Sequence, residues 1–178
     1  MVTLDIRRHA EASKDTTSGS ALSLDGLEMA RRLSAAAPAY ALVVCSPRPR
    51  TRDTAVVIAG RIDHSEQDLD VAEDSIITID EYFALTSPEA VLSFLRDRPR
   101  AQDFVRMQFA VWKRLAASIS DGQQGLIVAH GANVELPAVA LAHDLGLTPP
   151  RVPVLYCEGV RVRYGALGAY ETEPLTSD

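Results

Sequence analysis

The sequence predicts an α/β protein, a three-layer α/β/α sandwich around a largely parallel central sheet. Two observations carry that reading. Short apolar runs of strand length alternate with longer segments of helical period, and several of the latter open on a cap residue or a proline. Strands interleaved with helices of this length imply crossover connections, which lay helices on the faces of a parallel sheet. The 178 residues, 47% hydrophobic and 24% charged, suit a single domain spanning 1–178 with a sizeable core.

Residues 2–8 read as the first strand. Val2, Leu4 and Ile6 point one way; Thr3, Asp5 and Arg7 point the other, so Arg7 is expected to pair with Asp5 at the surface. Arg8 falls on the apolar parity and faces inward, where an arginine requires a carboxylate or a bound anion. The segment 23–37 reads as a helix opened by Ser23 or Asp25, with Leu27, Ala30 and Leu33 as its apolar stripe. "YALVVC" at 40–45 is a compact strand, followed by Ser-Pro and a helix to about residue 61. The acidic stretch 62–75 reads as loop, and "SIITIDEYF" at 75–83 has a β-like core. Ser87-Pro88-Glu89 supplies an N-cap, an N1 proline and an acidic first turn for a helix ending before Pro99. A long amphipathic helix over 101–119 turns Phe104, Val111, Leu115 and Ile119 inward, and the Phe104–Trp112 stripe is core packing. "GLIVAH" at 125–130 is a buried strand, 133–146 a helix with Pro137 near its start, and 159–167 a last β segment alternating valine with arginine.

Composition narrows function by exclusion. No apolar run reaches membrane-span length, and the amino terminus has no basic segment followed by an apolar one. Cys45 and Cys157 stand singly, as buried free thiols of a cytoplasmic protein. A net charge of −6 argues against nucleic acid or an anionic membrane as partner. The arginines are nevertheless clustered: Arg7 and Arg8 in the first segment, and Arg48, Arg50 and Arg52 in the second. In an acidic chain such a cluster points to a local site for a small anion.

Three strand ends carry the candidate chemistry. The first ends in Arg8-His9, the second in Ser46 leading to Arg50, the third in His130-Gly131. Ligands of open α/β sheets collect beyond the carboxyl ends of strands, where all three sets lie. His64, in the acidic loop, and His143, on a helix, are incidental, and the four histidines offer no close pair for a metal.

"RRHAEA", "CSPRPRTRDTA" and "VAHGANVE", in that order, resemble the histidine phosphatase superfamily, whose fold is phosphoglycerate-mutase-like. The matching residues are Arg8-His9, Ser46-Pro47 with Arg50 and Thr54-Ala55, and His130-Gly131, while "ALSLDG" resembles the turn opening the first helix. The resemblance covers roughly residues 3–145. It implies a phosphoric monoester hydrolase, without metal or other cofactor, acting on a small phosphorylated substrate. His9 would attack phosphorus and form a phosphohistidine, with a backbone carbonyl holding its other nitrogen. Arg8, Arg50, His130 and Gly131 would bind the phosphoryl group. In "TIDEYFAL" the matching proton donor is Glu81, in preference to Asp80, with a pKa raised by the phosphate. Arg48 and Arg52 are expected in solvent, although Arg48 could read a second anionic group.

Ala10 stands where most members have glycine, which makes "RHAEA" similar to the small bacterial phosphohistidine phosphatases; Thr51 stands where a small alanine is usual. The alternatives to a small-molecule phosphatase are therefore a protein phosphohistidine phosphatase and a phosphate-binding module without turnover. The substrate and the oligomeric state are left open.

Overall fold

The structure is a computed structural model that describes residues 1–14, 22–165 and 170–177. In chain order the elements are β1 (Val2–Arg8), α1 (Leu24–Ala36), β2 (Leu42–Cys45), α2 (Pro49–Ala59), β3 (His64–Ser65), α3 (Ile79–Ala84), α4 (Pro88–Arg96), α5 (Pro99–Ala117), β4 (Gln124–Ala129), α6 (Gly131–Asp144), β5 (Gly159–Tyr164) and β6 (Tyr170–Leu175). Six strands form one sheet in the order β3-β2-β4-β1-β5-β6. The β3-β2-β4-β1 part is parallel, and β5 and β6 join antiparallel.

Strand alternation divides the core. In β4, Leu126 and Val128 pack with Val43, Cys45, Ala30, Ala55 and Ile58 under α1 and α2. Their neighbours Ile127 and Ala129 pack with Leu4, Ile6, Trp112, Leu115 and Val134 under α5 and α6. Consecutive residues thus serve opposite faces, as the two-residue period requires. α4 lies outside α5 and α6 in a third apolar cluster with Ile77, Tyr82 and Leu136. Among the described residues no helix is long and apolar enough to cross a membrane.

Several elements differ from expectation. The β-like stretch at 75–83 contains no strand; Ile77 packs inward and α3 begins at Ile79. A capping box decides this. Thr78 Oγ1 accepts from the Glu81 backbone N–H, and the Glu81 carboxylate accepts from the Thr78 N–H, satisfying two helix-end donors that a lone apolar tripeptide would leave open. Residues 62–75 hold the two-residue strand β3 and one 3-10 turn at Gln67–Leu69. α5 starts at Pro99, an N1 proline, rather than at 101, and α6 starts at Gly131 rather than 133. β6 had no sequence forecast; Glu173 sits opposite Arg161 and accepts from Arg161 and Arg163 at 3.0 and 2.9 Å.

The Arg7–Asp5 surface pair does not form. Helices cover both faces of β1, so Asp5 is fully buried and Arg7 is buried too. Asp5 takes a two-pronged bond from Arg161, directly across in β5, at 2.6 and 2.9 Å, and a bond from the Tyr40 hydroxyl at 3.0 Å. Arg7 donates instead to the carbonyls of Cys157 and Thr176 at 2.7 and 3.2 Å. Cys45 and Cys157 are free and buried, as expected.

Candidate active site

β2, β4 and β1 are adjacent and parallel, so their carboxyl ends open on one edge. That adjacency brings together residues distant in sequence. β1 delivers Arg8 and His9, β2 leads to Ser46, β4 leads to His130, and the first turn of α2 supplies Arg50. A cavity of about 170 Å³ lies there, with Arg8, His9, Arg50, His130 and Gly131 in its wall.

His9 is pinned through one ring nitrogen. Its Nδ1 lies 2.7 Å from the Ala10 carbonyl and donates to it, which leaves Nε2 as the lone-pair nitrogen. Burial, with Arg50 and Arg8 nearby, lowers its pKa to about 3, so the ring is neutral at ordinary pH. The His130 ring stands edge-on to it with centroids 5.3 Å apart. Its pKa falls to about 2, chiefly through burial and then through His9 and the arginines.

The tautomer of His130 follows from its neighbours. Arg50 can only donate, and its guanidinium reaches Nδ1 at 3.2 Å, so Nδ1 accepts and Nε2 carries the hydrogen. Nε2 then donates to Ser46 Oγ at 2.9 Å, and Ser46 donates to Thr51 Oγ1 at 2.8 Å. Thr51 completes the relay by donating to the Arg48 carbonyl at 2.7 Å. In the arrangement seen, His130 orients Arg50. Its expected donation to a phosphoryl oxygen requires Arg50 to leave Nδ1 and a proton to replace it, an exchange that a dianion favours.

Arg8 donates to the Val154 carbonyl at 2.8 Å and lies over the Tyr156 ring, 4.5 Å from its centroid. The Nε atoms of Arg8 and Arg50 are buried without a hydrogen-bond partner. Two unsatisfied guanidinium N–H groups in the wall of one cavity mark a place for an anion. His130 is the N-cap of α6 and makes no side-chain capping bond, so the positive end of that helix also meets the cavity.

Ala10 fits its site without strain. It is fully buried, its N–H donates to Thr54 Oγ1 at 3.0 Å, and Thr54 donates to the Arg50 carbonyl at 2.7 Å. The Thr-Ala end of the second motif thereby ties His9 to Arg50. Gly131 is required by the neighbouring wall: a Cβ there would fall 2.1 Å from the Tyr82 hydroxyl oxygen.

Glu81 is not brought to the site. Its carboxylate is committed to the capping box and to Arg98, 2.5 Å away, and these bonds lower its pKa rather than raise it. Among the described residues, the carboxyl in the cavity wall is that of Asp74. Arg48 and Arg52 are exposed as expected; Arg48 pairs with Asp70 at 2.6 Å, and Arg52 donates to Ser65 Oγ at 3.0 Å. His64 and His143 are exposed and outside the cavity wall.

No protein-family model matches the sequence, and no curated protein matches it. Solved structures do match over nearly the whole chain. A phosphoserine phosphatase from Entamoeba histolytica, solved with 3-phosphoglyceric acid, superposes with a TM-score of 0.70 at 15% identity, covering 99% of this chain and 98% of that one. The chain shares that fold, which is phosphoglycerate-mutase-like. A phosphoglycerate mutase from Bacillus anthracis gives a TM-score of 0.65 at 17% identity, covering 99% and 93% of the two chains. An alpha-ribazole phosphatase from Shigella flexneri gives 0.61 at 17% identity, covering 97% and 95%.

On this phosphoglycerate-mutase-like fold, several residues around the cavity went unnoticed in the sequence. Thr51 looked like a departure and is the hydroxyl that fixes Ser46. Tyr156 lies in a segment without periodicity and carried no signal. Glu135 is fully buried in α6, where burial raises its pKa to about 7. Its carboxylate accepts from the Val154 N–H at 2.8 Å and from the Tyr82 hydroxyl at 3.4 Å. An acid inside the otherwise apolar run 134–142 was the visible hint.

Proposed function

We propose that this protein is a phosphoric monoester hydrolase working through a phosphohistidine on His9. The observation that carries the reading is a neutral His9, pinned through Nδ1, in the wall of a cavity where two buried arginine Nε–H groups lack partners. In the first step the Nε2 lone pair forms an N–P bond as the P–O ester bond breaks. Arg8 and Arg50 hold the non-bridging oxygens through the transition state. In the second step water forms a new O–P bond, the N–P bond breaks, and His9 regains its lone pair. The proton taken up by the leaving alcohol and the proton shed by water cancel, so no net proton is consumed.

With Glu81 turned away, a phosphoramidate is the second reading, since a nitrogen leaving group depends less on a carboxylic acid donor. A phosphohistidine peptide and p-nitrophenyl phosphate, assayed side by side, separate the two. The main reading expects hydrolysis of the aryl ester in excess EDTA and its loss in His9→Ala. Turnover confined to the peptide would favour the second reading. Phosphate binding without turnover of either would leave a binding module.

A further inference from the structure

Beyond the phosphate end, the cavity wall changes character. Val71, Ile79 and Phe83 line it while remaining 44, 63 and 62% exposed, so three large apolar side chains are held in water at the mouth of one pocket. Side chains so placed gain by covering one another with a ligand. The cationic and imidazole groups in the wall are Arg8, His9, Arg50 and His130, all at the phosphate end. Arg48, the cation that could have read a second anion, is occupied by Asp70 at 2.6 Å. Residues 15–21 and 166–169 contain no lysine, arginine or histidine that could supply another. The other charged side chain in the wall is the acidic Asp74.

We propose that the pocket selects the phosphate monoester of an apolar, uncharged alcohol and discriminates against substrates with a second anionic group. Resting on the hydrolase reading, this assigns the specificity of the same site. Apolar area gained at Val71, Ile79 and Phe83 favours a hydrocarbon body. A carboxylate or second phosphate there would lose water without a counter-charge, in a wall whose remaining charge is the negative Asp74.

The test compares 2-phenylethyl phosphate, ethyl phosphate and 3-phosphoglycerate, whose leaving groups are all alkoxides. The expected kcat/KM for 2-phenylethyl phosphate exceeds the other two by at least about tenfold. In an Ile79→Ser, Phe83→Ser double variant the ratio to ethyl phosphate should fall severalfold, and Asp74→Lys should raise relative turnover of 3-phosphoglycerate. Equal or faster turnover of 3-phosphoglycerate by the unmodified protein, or a ratio unmoved in the double variant, overturns the assignment while leaving the hydrolase reading intact. Calorimetric binding of 2-phenylethylphosphonate and methylphosphonate tests the wall independently of catalysis. Tenfold tighter binding of the aryl compound supports the assignment even if no ester is hydrolysed, and equal binding overturns it.

Discussion

The two ends of the cavity are built on opposite plans. At the proposed phosphate end His9 and His130 are 7 and 5% exposed and sit just beyond strands of the sheet. Each is fixed by a directed bond: Ala10 holds His9, and Ser46, Thr51 and Arg50 hold His130. At the far wall, the exposed Ile79 and Phe83 ride on the six-residue helix α3, secured by its capping box and by Ile77 and Tyr82 packing inward. Chemistry that needs accurate placement rests on the sheet, and contacts that need only apolar area rest on a short, locally stabilised segment. Glu135 joins the two ends: it accepts from Tyr82 of the wall and from the Val154 N–H, and the carbonyl of Val154 accepts from Arg8.

The largest break in that contrast should come at the phosphate end. Arg50→Ala removes the proposed transition-state donor and the partner of His130, and kcat should fall by about 100-fold or more in steady-state assays. Next comes the joint. The Glu135 carboxyl has a folded-state pKa of about 7 against an ordinary 4.5, so between these pH values the folded chain binds the extra proton. Stability from this group therefore declines as pH rises through that window, by about 3 kcal/mol. Glu135→Gln cannot titrate, and urea unfolding at pH 4.5 and pH 8 should show the variant gaining about that much relative to the parent. His9 and His130, with lowered folded pKa values, impose the opposite slope, with stability falling in acid, but equally in both proteins, so their effect cancels from the difference.

Smaller effects sharpen the comparison. Ser46→Ala breaks the relay behind His130 and should lower kcat/KM by about tenfold, largely through kcat, because it loosens the orientation of Arg50. Glu81→Gln should leave the ratio of aryl to alkyl ester turnover unchanged and lower the Tm slightly, through the lost Arg98 ion pair and the weakened capping box. A selective loss on alkyl esters would return Glu81 to the reaction.

The phosphate end was far more legible in the sequence than the wall. Strand parity and three ordered motifs located Arg8, His9, Arg50 and His130, because β strands convert sequence period directly into direction. The parity of Asp5 and Arg7 was also right, but a single sequence does not say that helices cover both faces, so their partners were misjudged. The wall was misread because three apolar residues at 76, 77 and 79 have the same pattern in a strand and in a capped short helix. Thr78 and Glu81, spaced as a capping box, were the available signal. β6 and the Asp5–Arg161 pair depend on pairing between distant segments, which no local window contains.

The account stands or falls on His9. Rapid acid-free quenching of the protein during turnover of a radiolabelled phosphomonoester, followed by peptide mapping, tests it most directly. The account predicts an alkali-stable, acid-labile phosphoryl group on the peptide containing His9, formed fast enough to support turnover and absent from His9→Ala. Turnover persisting in His9→Ala, or label on any other residue, would contradict it.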